Sequence, residues 1–249
     1  MTDLERAASL VARAQHIAVL TGAGVSAESG IPTFRGAGGL WQGRDPASLA
    51  TPHAFEADPK LVWEFYNWRR DLVARAQPNP AHVAIAELAT RVPRLSLITQ
   101  NVDRLHQRAG STEVLELHGN LWDVRCTRCG HTRDAAGETL PALPTCEACG
   151  ALARPAVVWF GEPLPPGIWQ QAEVASRAAD LILVVGTSAV VYPAAGLVAS
   201  ACRPGQTVIE INLVPTPLSA AIDIGLYDKA GTVLPQLVPA PSHTEPASR

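Results

Sequence analysis

The sequence predicts an α/β protein: a Rossmann-like, mostly parallel sheet covered by helices, into which a small second domain is inserted. Three observations lead there. Short apolar runs of the kind used by buried parallel strands are separated by Ala-rich helical or loop segments. A glycine-bearing turn follows the first of these runs, and a cysteine-rich stretch later interrupts the rhythm. At 249 residues the chain is long enough for one large α/β domain carrying an insert. With 47% hydrophobic and 17% charged residues it has the balance of a compact soluble protein, and no run is long enough to span a membrane, so no membrane partner is expected. A net charge of −3 argues against strong nonspecific nucleic-acid binding.

In chain order, Thr2-Asp-Leu-Glu5 is a capping box that opens a helix through about Ala14. The run Ile17–Leu20 reads as a buried strand, and Thr21-Gly-Ala-Gly-Val-Ser-Ala27 lies where that strand should turn into a helix. Glycines there let a phosphate approach the amides of a helix N-terminus. The pattern departs from G-x-G-x-x-G, because Ala27 replaces the third glycine and no acidic residue closes a second strand about twenty residues on. Further strands are expected at Leu95–Thr99, Val114–Leu117, Leu181–Val185 and Val208–Ile211.

Two stretches break the rhythm, 34–79 and 122–154, and are read as packing together into the small domain. The Rossmann-like domain is then discontinuous, over 1–33, 80–121 and 155–238, and the polar, Pro-bearing residues 239–249 read as a flexible tail. The first stretch holds Trp41, Trp63 and Trp68. Within it Asp58-Pro59 is a helix-start signal, and Leu61, Val62, Phe65, Leu72, Val73 and Ala76 recur at helical spacing. On that helix Tyr66 and Arg69 are three apart and share a face, with Arg70 as a competing partner and a solvated surface pair as the alternative.

The second stretch carries Cys126-x-x-Cys129 and Cys146-x-x-Cys149 with sixteen residues between them. Each knuckle puts two thiolates on one tight turn, and the two turns supply the four soft ligands of tetrahedral zinc. Both run into glycine, Gly130 and Gly150, whose freedom at positive φ lets backbone amides point at the sulfurs. Two disulfides are the alternative. The N-terminus, Met1 to Leu10, has no apolar signal core, so a cytoplasmic location with reduced thiols is expected, which favours zinc. Four protein ligands leave no place for water, so the ion is expected to be one structural Zn2+. The remaining Cys202 is expected in the core. A zinc-ribbon nucleic-acid binder would want a basic face, but Arg125, Arg128 and Arg133 are offset by Asp123, Asp134, Glu138 and Glu147.

Site candidates cluster after strand-like runs. His118 follows Glu113–Leu117, Gln100-Asn101-Val102-Asp103 follows Leu95–Thr99, and Gly186-Thr187-Ser188 follows Leu181–Val185, all at the edge where open α/β sheets bind ligands. Asn101 or Asp103 could instead cap a helix at Arg104–Arg108.

Gly22-Ala-Gly-Val-Ser26, Gly30-Ile-Pro-Thr-Phe-Arg35, Thr99-Gln-Asn-Val-Asp103, Leu117-His-Gly119, the two cysteine pairs, Val157-Val-Trp-Phe-Gly161, Gly186-Thr-Ser188 and Glu210-Ile-Asn212 occur in this order over nearly the whole chain. In this the sequence resembles the sirtuins, NAD-dependent protein lysine deacylases. The resemblance implies that NAD is a consumed co-substrate, held by Gly22, Ala23, Gly24, Ser26, Phe34, Arg35, Trp41, Gln100, Asn101, Asp103, Gly186, Thr187, Ser188, Asn212 and Ala230. By the same resemblance Asn101 holds the nicotinamide ribose and an ordered water, Asp103 recognises the carboxamide, Asn212 contacts the adenosine ribose, and Ala230 closes over adenine through its amide. His118 is the implied general base, a role that suits an imidazole of unperturbed pKa about 6.5. Val157, Val158 and Phe160 match the segment that pairs with the substrate peptide as an added strand.

The implied reaction begins with attack of the acyl-lysine amide oxygen on C1′ of the nicotinamide ribose, which releases nicotinamide. His118 then helps deprotonate a ribose hydroxyl, and water completes the route to lysine and O-acyl-ADP-ribose. Tyr66 and Arg69 resemble the pair of desuccinylase-type sirtuins, in which hydroxyl and guanidinium take an acyl carboxylate bidentately, with deacetylation persisting. The implied partner is acylated lysine in proteins or peptides, met by a monomer; an NAD-dependent ADP-ribosyltransferase would share the cofactor and the C1′ chemistry. His16, His53, His82, His106, His131 and His243 match no catalytic position and are read as structural.

Overall fold

The computed structural model describes residues 1–33, 45–188, 192–201 and 205–239. The readings placed on Phe34, Arg35, Trp41, Cys202 and the tail from 240 onward lie outside them.

The chain runs α1 (Asp3–Arg13), β1 (His16–Thr21), α2 (Pro52–Ala57), α3 (Pro59–Arg75), α4 (Pro80–Arg91), β2 (Arg94–Thr99), α5 (Leu105–Arg108) and β3 (Val114–Glu116). It continues through β4 (Gly119–Cys126), β5 (Thr132–Asp134), β6 (Ala153–Val157), α6 (Pro166–Ala178), β7 (Leu181–Val185), α7 (Ala194–Ala201), β8 (Thr207–Asn212), β9 (Ile224–Tyr227) and α8 (Ala230–Leu237). The first helix starts where its capping box places it: Glu5 N donates to Thr2 Oγ1 at 3.2 Å while Thr2 N donates to Glu5 Oε2 at 2.7 Å.

Six strands form one sheet in the order β3-β2-β1-β7-β8-β9, every pair parallel. The five expected strands are present. The sixth, β9, was not anticipated: Ile-Gly-Leu-Tyr is four residues long and broken by glycine, so it offers no apolar run to read. One face of the sheet packs on α1, α4 and α8 through Val11, Ile85, Leu88 and Leu234. The other face packs on α6 and α7 through Ala172, Ala175, Leu197 and Val198.

A second, antiparallel sheet has the order β5-β4-β6. It shares one core with α2 and α3, in which Phe55, Val62, Trp63, Leu121, Trp122, Val124, Ala153 and Trp159 meet. Trp63 Nε1 donates to Ala153 O at 2.9 Å. Arg70 sews α3 to the same sheet, donating to Leu121 O and Ala135 O at 2.7 Å each, with its guanidinium 5.1 Å from the Trp122 ring centroid. The boundaries expected at 121/122 and 154/155 cut through β4 and β6, because the small sheet draws its strands from Gly119 to Val157, wider than the cysteine segment.

The C-terminal ends of β1, β2, β7 and β8 deliver Gly22, Gln100, Gly186 and Asn212 to one edge of the large sheet, and His118 lies just beyond β3. That is the edge at which such sheets take ligands.

Candidate active site

The loops at this edge are bonded to one another. Gly22 N donates to Val185 O at 3.0 Å and Gly24 N to Gly186 O at 2.7 Å. A Cβ on Gly24 would stand 2.7 Å from Gly186 O, and Gly186 has φ +58, so backbone lies on backbone here and only glycine fits. Gln100 Nε2 donates to Thr187 Oγ1, and Asn212 Nδ2 to Thr187 O, each at 3.0 Å. The expected helix after β1 is a 3-10 turn, Ala23–Ser29, ended by Gly30 at φ 81. The amide of Gly24, free of any partner within its own turn, is used to hold the neighbouring loop. Gly231 N, beside Ala230 at the start of α8, donates to Glu28 Oε1 of this turn at 2.8 Å.

Deeper in, Asn101 and Asp103 are buried and share Ser26. Asn101 Nδ2 donates to Gly22 O and to Ser26 Oγ at 3.1 Å each, and Ser26 Oγ donates to Asp103 Oδ2 at 2.7 Å. Burial pushes the Asp103 carboxyl above the usual carboxylate range, against the hydrogen bonds of Leu105 N and Ser26 and the charge of Arg69. Asp103 Oδ1 also accepts from Leu105 N at 2.9 Å, at the first residue of α5, whose N-cap position is Arg104.

Beneath them lie two histidines read from the sequence as merely structural. Their rings are 4.8 Å apart, and His82 Nε2 is 3.4 Å from Ser26 Oγ while His106 Nε2 is 3.0 Å from Thr21 Oγ1. Burial lowers His82 to about 4 and His106 to about 3. Both are therefore neutral when folded, whereas the unfolded chain takes up their protons below pH 6.5. Stability is present in full above that pH and is expected to fall as pH drops toward about 4, by about 1.4 kcal/mol per pH unit for each histidine. Urea melts between pH 7 and pH 4 read this; an unchanged midpoint contradicts it.

His118 is half-buried, and its Nδ1 lies 3.0 Å from Gln100 O. A carbonyl only accepts, so Nδ1 carries the proton and Nε2 presents its lone pair. Burial lowers the His118 pKa, and the Gln100 carbonyl opposes this. The result is a neutral imidazole in one tautomer. From His118 the backbone leads to the Val157–Phe160 segment: Val157 pairs with Gly119, Val158 N donates to His118 O at 2.9 Å, and Phe160, 53% exposed, has its N donating to Ala50 O at 2.9 Å.

Tyr66 and Arg69 are 1% and 4% exposed, which removes the surface-pair alternative. The Arg69 guanidinium lies 5.5 Å from the Tyr66 ring centroid, and Arg69 lines a cavity with Ala23, Ser26, Ile31, Asn101 and Asp103. Burial raises the Tyr66 pKa and lowers that of Arg69. Arg70 points elsewhere, into its carbonyl clamp. Trp159, which sequence reasoning passed over, donates Nε1 to Tyr66 Oη at 2.8 Å. Only its place in Val-Val-Trp-Phe-Gly, two residues past Val157, hinted at it.

The four cysteine sulfurs lie within 4.8 Å of one another, with Cys126 to Cys149 at 3.5 Å and Cys129 to Cys146 at 3.6 Å. Zn–S bonds of about 2.3 Å in a tetrahedron put sulfurs about 3.8 Å apart, so the set fits the ion. All four are free of disulfides. Gly130 and Gly150 have φ 73 and 71, and the amides of Arg128 and Cys129 point at Cys126 Sγ at 3.3 and 3.4 Å.

Comparison with known proteins agrees with this architecture. A family model described as the Sir2 family matches residues 22–193. NAD-dependent protein deacylase 2 of Pyrobaculum aerophilum is 51% identical over 233 residues, covering 93% of this chain and 93% of its own. Among solved structures, a Sir2 homologue–NAD complex is similar with a TM-score of 0.87 and 50% identity, over 94% of this chain and 92% of that one. A Sir2 protein bound to a myristoylated histone peptide is similar with a TM-score of 0.76 and 37% identity, over 95% and 94%.

Proposed function

The chain belongs to the Sir2 family and is an NAD-dependent protein deacylase, and on that premise we propose that it removes succinyl and malonyl groups from protein lysines in addition to acetyl groups. The observation that carries the acid-acyl reading is the burial of Tyr66 and Arg69 together, with Arg69 on the wall shared with Asn101 and Asp103. A guanidinium and a phenol hydroxyl held side by side, with the guanidinium on the cavity wall, offer an acyl carboxylate one charged and one neutral donor. Trp159 adds the orientation: because its indole N–H donates to Tyr66 Oη, the hydroxyl proton is directed away from Trp159 and is available to an acyl carboxylate.

The residues fit NAD. Gly22, Ala23, Gly24 and Gly186 offer close-packed backbone for the pyrophosphate, Thr187, Ser188 and Asn212 offer polar groups toward ribose, Ala230 lies by the adenine end, and Asn101 and Asp103 hold the nicotinamide end, with Gln100 fixing Thr187. Bound NAD supplies an electrophilic ribose carbon and nicotinamide as leaving group. Asn101 and Ser26 keep the cavity polar and ordered, so positioning carries much of the rate. His118 accepts a ribose hydroxyl proton at Nε2 while Gln100 O holds its other nitrogen, and the products are lysine, nicotinamide and O-acyl-ADP-ribose. An acylated peptide adds as a strand beside Val157–Phe160, with exposed Phe160 at its side. The reading includes a cytoplasmic enzyme, since four zinc-type thiolates suit a reducing compartment, and one that acts as a monomer on proteins and on neither nucleic acid nor membranes.

Matched acetyl and succinyl peptides test the acid-acyl reading. Tyr66→Phe with Arg69→Met is expected to lower kcat/KM for the succinyl peptide by about 10²-fold while the acetyl value stays within about threefold, since only the carboxylate uses both groups. Equal loss on both peptides discards it.

A further inference from the structure

Among the described residues, one non-glycine residue has positive φ, and it directly follows Asp103: Arg104, at φ 57. A side chain bearing Cβ adopts the left-handed region only when its surroundings hold it there, and such positions gather at functional sites. What holds Arg104 is a set of three carboxylates from three strands. Nη1 meets Asp134 Oδ2 of β5 at 2.7 Å, Nη2 meets Asp123 Oδ1 of β4 at 2.9 Å, and Nε lies 3.8 Å from Glu116 Oε1 of β3. Two of these belong to the small sheet and one to the large sheet, so the guanidinium spans the junction between them. Asn120 ties the acids together, its Nδ2 donating to Glu116 Oε2 at 3.0 Å and to Asp123 Oδ2 at 2.9 Å.

The left-handed turn has a direct effect on its neighbour. It reverses the chain so that Leu105 N reaches Asp103 Oδ1 at 2.9 Å, which leaves Oδ2 to take the Ser26 hydroxyl at 2.7 Å. The backbone before it is held from the same side: Leu121 N donates to Val102 O at 2.9 Å and Trp122 Nε1 to Asp103 O at 3.2 Å. We propose that Arg104 is a positioning residue for the reaction: by anchoring its left-handed turn to Asp123 and Asp134 it sets the aim of the Asp103 carboxylate and makes nicotinamide recognition depend on the placement of the small sheet. This rests on the reading of Asp103 as the group that holds the nicotinamide carboxamide.

The full-length, zinc-loaded chain is assayed on an acetyl peptide, with KM for NAD, the nicotinamide concentration giving half inhibition, KM for peptide, and kcat all measured. Arg104→Gly leaves the left-handed turn accessible but removes the arms. It is expected to raise both the NAD and the nicotinamide constants about tenfold while the peptide KM holds. Arg104→Lys, which restores one cation, is expected to recover part of both. Asp123→Asn with Asp134→Asn is expected to reproduce the Gly effect and to add nothing on top of it, the mark of residues acting as a unit. The proposal is overturned if Arg104→Gly keeps both constants within about twofold of the parent, if it lowers kcat alone, as loss of folded enzyme would, or if the two sets of changes simply add. Asp103→Asn separates this from failure of the underlying assignment. If that variant leaves both constants at the parental value, Asp103 does not hold nicotinamide and the positioning role falls with it; if it moves them and Arg104→Gly does not, only the positioning role falls.

Discussion

His118→Gln is expected to lower kcat by about 10²- to 10⁴-fold on acetyl and succinyl peptides alike, the range that a positioned general base contributes. Glutamine keeps a donor for the Gln100 carbonyl and nearly fills the space, so the loss reports the missing base and not a cavity. Nicotinamide release in a single turnover and peptide KM should change far less, since binding does not pass through Nε2. The pH profile provides an internal check on the parent. Burial lowers the His118 pKa, so the neutral form persists on the acid side of 6.5, and the falling limb of kcat/KM is expected below that value, with activity held above it. A variant that retains most of the parental kcat, or a limb above pH 7, contradicts the role of His118.

The second large effect follows from the metal. Structural zinc in small sites is bound with about 10–16 kcal/mol at neutral pH, comparable to the whole stability of a domain at about 5–15 kcal/mol. Cys126→Ser, or prolonged chelation, is therefore expected to unfold the β4–β6 sheet and with it the packing of α3, which shares its core. Both acyl activities should then disappear together, in contrast to the selective loss expected from the Tyr66 and Arg69 changes. Metal release, far-ultraviolet dichroism and deacylation measured on one sample decide it. Full activity in a demonstrably zinc-free protein would show that the small sheet stands without its ion.

Much of this was legible because the signals were local. Buried parallel strands are continuous apolar runs, a capping box names its own helix start, and paired Cys-x-x-Cys knuckles fix both ligand type and geometry. The strand-edge placement of His118, Asn101 and Gly186 followed from the order of runs and turns. What escaped was set by distant contacts. The bond that seats the Ala23–Ser29 turn joins Gly24 to Gly186, more than 150 residues away in the chain. β9 is a strand because β8 accepts it, not because Ile-Gly-Leu-Tyr has a strand pattern. His82 and His106 belong to the floor of the site through Ser26 and Thr21, partners that no spacing rule connects. Tyr66 and Arg69 could be placed on one helix face, but their burial and the indole that orients Tyr66 come from β6 and the residues that follow it.

One feature of the strand plan bears on mechanics. The parallel sheet ends at Glu116 and the antiparallel sheet begins at Gly119, so His118 is part of the two-residue link between them, with Gly119 at φ 66. Its carbonyl is also bonded to Val158 N on the return crossing. Any displacement of one sheet against the other therefore bears on the His118 backbone from two sides, along the chain and through Val158.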